Sequence, residues 1–157
     1  MLDLLRGMWL GYPLHSVMVR FPAALWPLAL GLDVMSLFAP DPFWTRAAGI
    51  CVLVGDVGAG LAILFGLLEL IACWHRGEAR GRLLFHTIVN TAAAGIFAVA
   101  LSLRLTPEPP ASASAAVVAL EVIGVGLMLL GNWLGGLLVY RYGLGSTSDR
   151  GLLDRKL

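Results

Sequence analysis

Long apolar segments alternate with short polar ones along this chain. Four apolar stretches reach the roughly 20 residues that a helix needs to cross a bilayer: residues 17–38, 47–73, 83–103 and 115–139. Between them lie a proline-rich turn at 39–44, a charged loop at 74–82 and a Pro/Ser loop at 104–114. The pattern predicts an all-α membrane protein with four transmembrane helices, and the short loops predict an antiparallel bundle.

The same pattern sets the domain organisation. Residues 1–145 are predicted to form one four-helix transmembrane domain, followed by a polar tail at 146–157. The four segments suggest two helical hairpins, but we find no convincing internal repeat in the sequence. Pro22 and Pro27 fall inside the first span, where each removes a backbone donor, so we expect a kink there rather than a functional break.

Composition strengthens the membrane assignment. Of the 157 residues, 59% are hydrophobic and 13% are charged, and the mean hydropathy is +0.84. A soluble domain carries about 25% charged residues. The net charge of +1 gives no reason to expect nucleic acid as a partner, and neither Cys51 nor Cys73 belongs to a CxxC motif. We expect no cleaved signal peptide, since no separate apolar core precedes the first span.

Basic residues indicate the orientation in the membrane. Loops rich in Lys and Arg stay in the cytoplasm. Eight of the 11 Lys and Arg residues lie on one side of the predicted membrane: Arg6, Arg76, Arg80, Arg82, Arg141, Arg150, Arg155 and Lys156. Arg46 and Arg104 lie on the other side, and Arg20 falls within the first span. Both termini and the loop at 74–82 are therefore predicted to be cytoplasmic.

Polar side chains within the spans concentrate in the predicted cytoplasmic half. An ionisable residue inside a span is a functional hypothesis by default, because placing it near lipid is costly. Counted from the helix ends, six polar residues from all four spans fall in this half: His15, Arg20, Glu69, His86, Asn90 and Asn132. His86 and Asn90 share one helix face because they are four residues apart.

Two of these residues are histidines that are predicted to stand at the same depth. His15 begins the first span, and His86 lies about 6 Å inside the third. Haem b takes one imidazole on each side of its iron, so this pair predicts a haem b site with His15 and His86 as iron ligands. Arg20 and the arginines of loop 74–82 are candidates to bind the haem propionates.

An ion-pair network is the alternative for the same residues. Arg20 and Glu69 would satisfy each other's charge without any cofactor. His75, in the charged loop, is expected to be solvated. In the opposite half, Asp33 or Glu121 could pair with Arg104, which we interpret as a structural contact. Small residues in the spans are interpreted as helix-packing surfaces.

Several short motifs also suggest a family. They are HSVMVRFP (15–22), Asp33, GDVGAG (55–60), HTIVN (86–90) and GNWLGGLLVYRYGLG (131–145). With them the chain resembles the small bacterial membrane proteins catalogued as domain of unknown function 2231. The resemblance implies a four-helix bundle in the bacterial inner membrane. Some relatives are joined to iron–sulfur or sugar-dehydrogenase domains, which implies electron traffic.

The resemblance assigns His15, His86 and Asn90 to positions that match the family pattern. Two residues depart from it: Ser16 stands in place of a proline, and Arg20 in place of a second histidine. If that second histidine ligates a metal in relatives, this chain has to use His15 instead.

Three functions are compatible with these features. The first is a membrane subunit that binds haem b and transfers electrons, with quinone as a candidate acceptor. The second, which binds no cofactor, is a non-catalytic accessory subunit that packs against a larger membrane complex. The third is a proton or solute conductor, which the lack of inverted repeats disfavours. The expected partners are the bilayer and other membrane subunits or a redox protein, and a stand-alone enzyme is not expected.

Overall fold

The structure, a computed structural model, describes residues 13–72, 74 and 77–144. These residues form only helices: α1 (Leu14–Met18), α2 (Arg20–Phe38), α3 (Pro42–Ala72), α4 (Gly77–Ser102) and α5 (Ala115–Tyr142). Four segments of this part of the chain are long and apolar enough to cross a membrane: Leu14–Phe38, Pro42–Ile71, Ala79–Ser102 and Ala115–Tyr142. The predicted all-α membrane class with four spans is confirmed. The predicted tail at 146–157 and His75 lie outside the described residues.

The helices extend beyond the predicted apolar segments. α3 begins at Pro42 rather than at residue 47, because proline suits the first helical position, where its missing N–H is not needed. Asp41 caps this end, since its Oδ1 accepts a hydrogen bond from the backbone N–H of Phe43 at 2.7 Å. α4 begins at Gly77, inside the predicted charged loop. Hydropathy locates the part of a helix that crosses lipid, whereas capping and turn residues fix where the helix ends.

The helix of the first span is interrupted at Val19, which separates α1 from α2. Pro22 explains the position, because a proline ring collides with the carbonyl group four residues earlier, here that of Met18. The interruption is slight, since Val19 keeps helical dihedral angles and its N–H still donates to the carbonyl of His15 at 3.0 Å. Pro27 sits inside α2, which continues through it. The interruption places His15 on a short helix of its own, and the expected kink stays a prediction.

Consecutive helices pack as two hairpins, α2 against α3 and α4 against α5. The hairpins meet where α3 contacts α4 and α2 contacts α5, which closes a four-helix bundle. Small and aromatic side chains fill the core, among them Trp26, Ala29, Ala59, Ala93 and Phe97. Many Leu, Ile and Val side chains are exposed on the outside, as expected for helices that face lipid.

An internal repeat relates the two hairpins, although none was recognised in the sequence. Three pairs of residues contact each other across the bundle, and the members of each pair are 71 positions apart: His15 with His86, Trp26 with Phe97, and Asp33 with Arg104. Glycines follow a second constant interval, with Gly66 and Gly135 beside the histidines and Gly55 and Gly124 beside the aromatic rings. A pseudo-twofold axis therefore runs along the bundle between the hairpins.

The three pairs define three layers along this axis. The histidine layer is His15 with His86, and the aromatic layer, Trp26 with Phe97, lies about three helical turns further along. The ion layer, Asp33 and Arg104 together with Glu121, lies about two turns beyond the aromatic layer. The aromatic rings stack with their centres 4.2 Å apart and their planes inclined by 10°. Two polar sites thus lie at the ends of the bundle, and one further acid, Asp56, lies in the aromatic layer, where its Oδ1 accepts a hydrogen bond from Trp26 Nε1 at 3.1 Å.

The Pro/Ser loop closes the bundle beyond the ion layer. Ser36 Oγ accepts a hydrogen bond from the N–H of Ala113 at 2.9 Å and donates one to the carbonyl of Asp33 at 2.6 Å. Thr45 Oγ1 donates to the carbonyl of Pro110 at 2.6 Å. These bonds fix the loop to both α2 and α3.

Replacing Ser36 by alanine is expected to lower the free energy of unfolding by about 1–2 kcal/mol, because the buried N–H of Ala113 loses its acceptor. Reversible unfolding in mixed detergent micelles measures the change. Ser102→Ala is the matched control, since the exposed hydroxyl of Ser102 bonds only within its own helix, to the carbonyl of Val99. Its effect is expected to stay within about 0.5 kcal/mol. An equal loss in both variants would contradict the role given to Ser36.

Candidate functional site

His15 projects from α1 onto a surface of small residues on α3. Its Nδ1 lies 2.7 Å from the carbonyl oxygen of Ala62. Gly66, one turn further along α3, lies against the ring, and a Cβ there would be 3.1 Å from Nδ1. Ala62 and Gly66 together supply an acceptor for the imidazole and the room that it occupies.

His86 repeats this arrangement between α4 and α5. Its Nδ1 lies 3.0 Å from the carbonyl oxygen of Gly131, and a Cβ at Gly135 would be 3.0 Å from its Cε1. Asn90 Nδ2 lies further from the ring, 3.3 Å from Nδ1, and donates to the carbonyl of His86 at 2.8 Å. The closer carbonyl of Gly131 is therefore the partner of the imidazole.

The carbonyl partners fix the tautomer of both rings. A backbone carbonyl only accepts hydrogen bonds, so each Nδ1 carries a proton and donates it. Among the residues described, nothing bonds the other ring nitrogen, Nε2, of His15 or His86. In the neutral ring this Nε2 keeps its lone pair, as in an imidazole that ligates a metal. The two ring centres are 6.1 Å apart and the ring planes are inclined by 75°.

A cavity of about 270 Å³ adjoins the histidine layer. Equivalent residues of the two hairpins line it, among them His15 and His86, Ser16 and Thr87, and Gly66 and Gly135. The lining contains more polar residues on the second hairpin. Asn90 and Asn132 occupy the positions that Val19 and Ile63 occupy on the first hairpin. The cavity therefore lies on the pseudo-twofold axis, and both hairpins complete it.

Most of the polar residues that the sequence placed in this half line the cavity: His15, Glu69, His86, Asn90 and Asn132. Arg20 does not. Its side chain is exposed and forms no ion pair or hydrogen bond within the described part of the chain, so the expected contact with Glu69 is not formed. Helix geometry gives the reason, because Arg20 follows His15 by five residues, or roughly 140° around a helix. Arg20 thus points away from the site.

The donor set near the histidine layer is small. The described residues contain no group of three or more His, Cys, Asp or Glu side chains placed to hold a metal ion. A zinc site takes three or four protein ligands, whereas haem iron takes axial ligands from the protein and the others from its macrocycle. Two histidines therefore suit haem better than a bare ion.

The ion layer lies at the opposite end of the bundle. Arg104 Nη1 donates to Asp33 Oδ1 at 3.2 Å, and Arg104 Nη2 bonds both Asp33 Oδ2 and Glu121 Oε1. The Asp33 and Glu121 side chains are fully buried, while the Arg104 side chain is 11% exposed. Burial disfavours the charged guanidinium, but the two carboxyl groups outweigh it and raise the pKa of Arg104 above its ordinary value. Arg104 thus pairs with both of the partners that the sequence offered as alternatives.

Sequence reasoning missed the residues behind the histidines. The acceptor and the glycine against each ring, Ala62 with Gly66 and Gly131 with Gly135, have the same four-residue spacing. A hydroxyl residue also follows each histidine directly, as HS at 15–16 and HT at 86–87. The equivalence of the two halves could have been recognised in the sequence from these shared features.

A family of known proteins matches most of the chain. The family model described as "Predicted membrane protein (DUF2231)" matches residues 11–148. No curated protein and no solved structure matches the chain. The family description states a membrane location and no activity, so function has to be argued from the geometry of the site.

Proposed function

The chain belongs to the DUF2231 family of predicted membrane proteins, and from that premise we propose that it is a bacterial inner-membrane subunit that binds haem b and carries electrons. His15 and His86 would ligate the iron. The main support is a single observation: the two imidazoles lie across the bundle from each other with their ring centres 6.1 Å apart, and each donates its Nδ1 proton to a backbone carbonyl.

The separation of the rings supports this proposal. Metal–imidazole bonds are roughly 2.0–2.1 Å long, so two rings on opposite sides of one ion have centres about 6–6.5 Å apart. The observed separation of the His15 and His86 ring centres is 6.1 Å. The 75° inclination of the ring planes is no obstacle, because two imidazoles that hold one metal ion between them can have any angle between their planes.

The surroundings of the rings support it as well. A ligating histidine ordinarily donates its second nitrogen to a carbonyl or carboxylate, which orients the ring and makes it a better ligand. Ala62 and Gly131 provide such carbonyls. Gly66 and Gly135 hold the rings at contact distance from α3 and α5, where larger residues would displace them.

Haem would supply a one-electron couple within the bundle. The residues of this chain would orient it. Exposed Arg80 and Arg82, in the first turns of α4, offer cations to acidic groups at the histidine end. Trp74 and Tyr142 hold these arginines, with the Arg80 guanidinium 4.9 Å from the Trp74 ring centre and that of Arg82 5.3 Å from the Tyr142 ring centre. The surplus of basic residues at this end supports a cytoplasmic location for it.

The size of the cavity favours a second candidate function, a non-catalytic accessory subunit. Sites for drug-sized ligands measure about 300–1,000 Å³, and this cavity of about 270 Å³ would enclose a macrocycle only in part. An accessory subunit needs no cofactor. Outward-facing Gly60 and Gly95, which have open space where a Cβ would be, would let a helix of another subunit approach closely.

Absorption spectroscopy of the purified protein separates the two functions. After addition of haem, the wild type is expected to show a Soret band and, once reduced, the sharp visible bands of a six-coordinate haem. His15→Ala and His86→Ala are each expected to weaken binding by more than about 100-fold, since loss of a group behind a ligand already costs roughly 10–100-fold. Reoxidation of the reduced protein by a quinone would support electron transfer.

His75→Ala is the matched control, because it removes the third histidine of the chain, and it is expected to bind haem like the wild type. A folded wild-type protein that stays colourless with added haem would reject haem binding and favour the accessory function. Binding that survives both His15→Ala and His86→Ala would reject the ligand assignment.

A further inference from the structure

The ion layer has one carboxyl group more than it has cations. Asp33 and Glu121 are fully buried, and Arg104 is the guanidinium between them. If both acids were ionised, the layer would hold a net negative charge away from water. An uncompensated buried charge is strongly unfavourable, and two carboxylates that share a site do not both stay ionised easily.

The hydrogen bonds distinguish the two acids. Arg104 binds Asp33 as a fork, with one guanidinium nitrogen on each carboxylate oxygen, which is the geometry of a charged pair. Glu121 receives a single bond, to Oε1. Its other oxygen, Oε2, is buried and has no partner. Asp33 is therefore the ionised acid, and Glu121 is the one with an oxygen free to hold hydrogen.

We propose that Glu121 is a proton-binding site and holds one proton at neutral pH. The proton leaves the layer neutral, with one guanidinium and one carboxylate. This inference does not depend on haem, because the ion layer is separated from the histidines by the aromatic layer.

The charged groups around Glu121 are consistent with one proton on its carboxyl group. Asp33 from α2 and Arg104 from the turn after α4 are the charged groups that act on Glu121 within the described residues. α3 contributes Gly49, which lies against the Arg104 side chain. Arg46 and Glu108 also lie at this end of the bundle, and both are exposed to the surroundings.

Arg104 is the residue of the ion layer that is partly exposed at the surface. Its side chain keeps 11% of its area exposed, whereas both acids have none. A proton reaches Glu121 when the guanidinium moves aside, so the site exchanges protons with the compartment at the loop end of the bundle and not with the histidine end.

Infrared spectroscopy with carbon-13-labelled glutamate tests the proposal. The variant E69Q/E78Q/E108Q leaves Glu121 as the only glutamate of the chain. At neutral pH it is expected to show a protonated-carboxyl band that moves on labelling. Asp56 is another acid with a buried unpartnered oxygen. Because aspartate is not labelled, a carboxyl band from Asp56 would not move. A labelled glutamate that appears only as ionised carboxylate overturns the proposal.

A second measurement uses the full wild-type chain and E121Q. If folding keeps one proton on Glu121, the unfolding equilibrium constant of the wild type rises by up to tenfold per pH unit near neutral pH, because the unfolded glutamate is ionised. E121Q carries no such proton and is expected to lose this part of the slope. Identical slopes for E121Q and the wild type overturn the proposal.

Discussion

Replacing Arg104 by methionine is expected to lower the free energy of unfolding by about 3–5 kcal/mol, the cost of removing one partner from a buried ion pair. The substitution keeps most of the side-chain volume but leaves the Asp33 carboxylate, which is fully buried, without its cation. Unfolding of the purified protein in mixed micelles measures the change.

A triple variant separates the missing charge from the missing contacts. D33N/R104M/E121Q removes all three ionisable groups while nearly keeping their shapes, so it is expected to be more stable than the single variant R104M. A triple variant that is less stable than R104M would mean that packing, and not charge, accounts for the role of Arg104.

Leucine in place of Gly124 is expected to cost about 3 kcal/mol, the upper part of the usual range for overpacking a core. A Cβ at this position would lie 2.5 Å from Phe97 Cε2. The Phe97 ring has no room to retreat, because it stacks on Trp26 at 4.2 Å between ring centres. Trp26 in turn lies against Gly55, where a Cβ would be 2.7 Å from the indole.

Gly126→Leu is the matched control on the same helix. Gly126 faces outward and has open space where a Cβ would be, so the change is expected to be within about 0.5 kcal/mol. Comparable losses of stability at Gly124 and Gly126 would show that leucine disturbs the helix itself at both positions. The close contact with Phe97 would then not be the cause.

The architecture was accessible from the sequence because bilayer thickness imposes a simple rule on the chain. A segment such as 115–139 has to be long and apolar to cross lipid, and hydropathy detects that property directly. The helix ends depended on local chemistry instead. Asp41 and Pro42 start α3 before the apolar run begins, and the interruption at Val19 depends on a steric clash caused by Pro22.

The candidate site was predictable where depth alone decides position. His15 and His86 were placed at one level from residue counts, and the structure sets them across from each other. Arg20 shows where this reasoning fails. Depth does not tell which way a side chain points, and the five-residue step from His15 turns Arg20 out of the site.

The repeat was hidden because most paired positions hold different residues. Asp33 corresponds to Arg104, and Trp26 to Phe97, so each pair shares a role but not an identity. The conserved features between the halves are the histidines and the glycines that adjoin the rings. Two residues that contact each other across the axis have to fit each other in size or charge, but they need not be alike. Comparing the two halves of one sequence detects likeness and does not detect such a fit.

The aromatic layer also has an electrical consequence. Trp26 and Phe97 are almost fully buried, and they belong to the packed apolar core between the histidine layer and the ion layer. A transmembrane voltage falls mainly across the part of a protein that water does not enter, and each elementary charge that crosses it changes energy by about 2.3 kcal/mol per 100 mV. The two stacked rings and the glycines against them thus lie where such a voltage would act most strongly, and Asp56, bonded to Trp26, is the ionisable group that would experience it there.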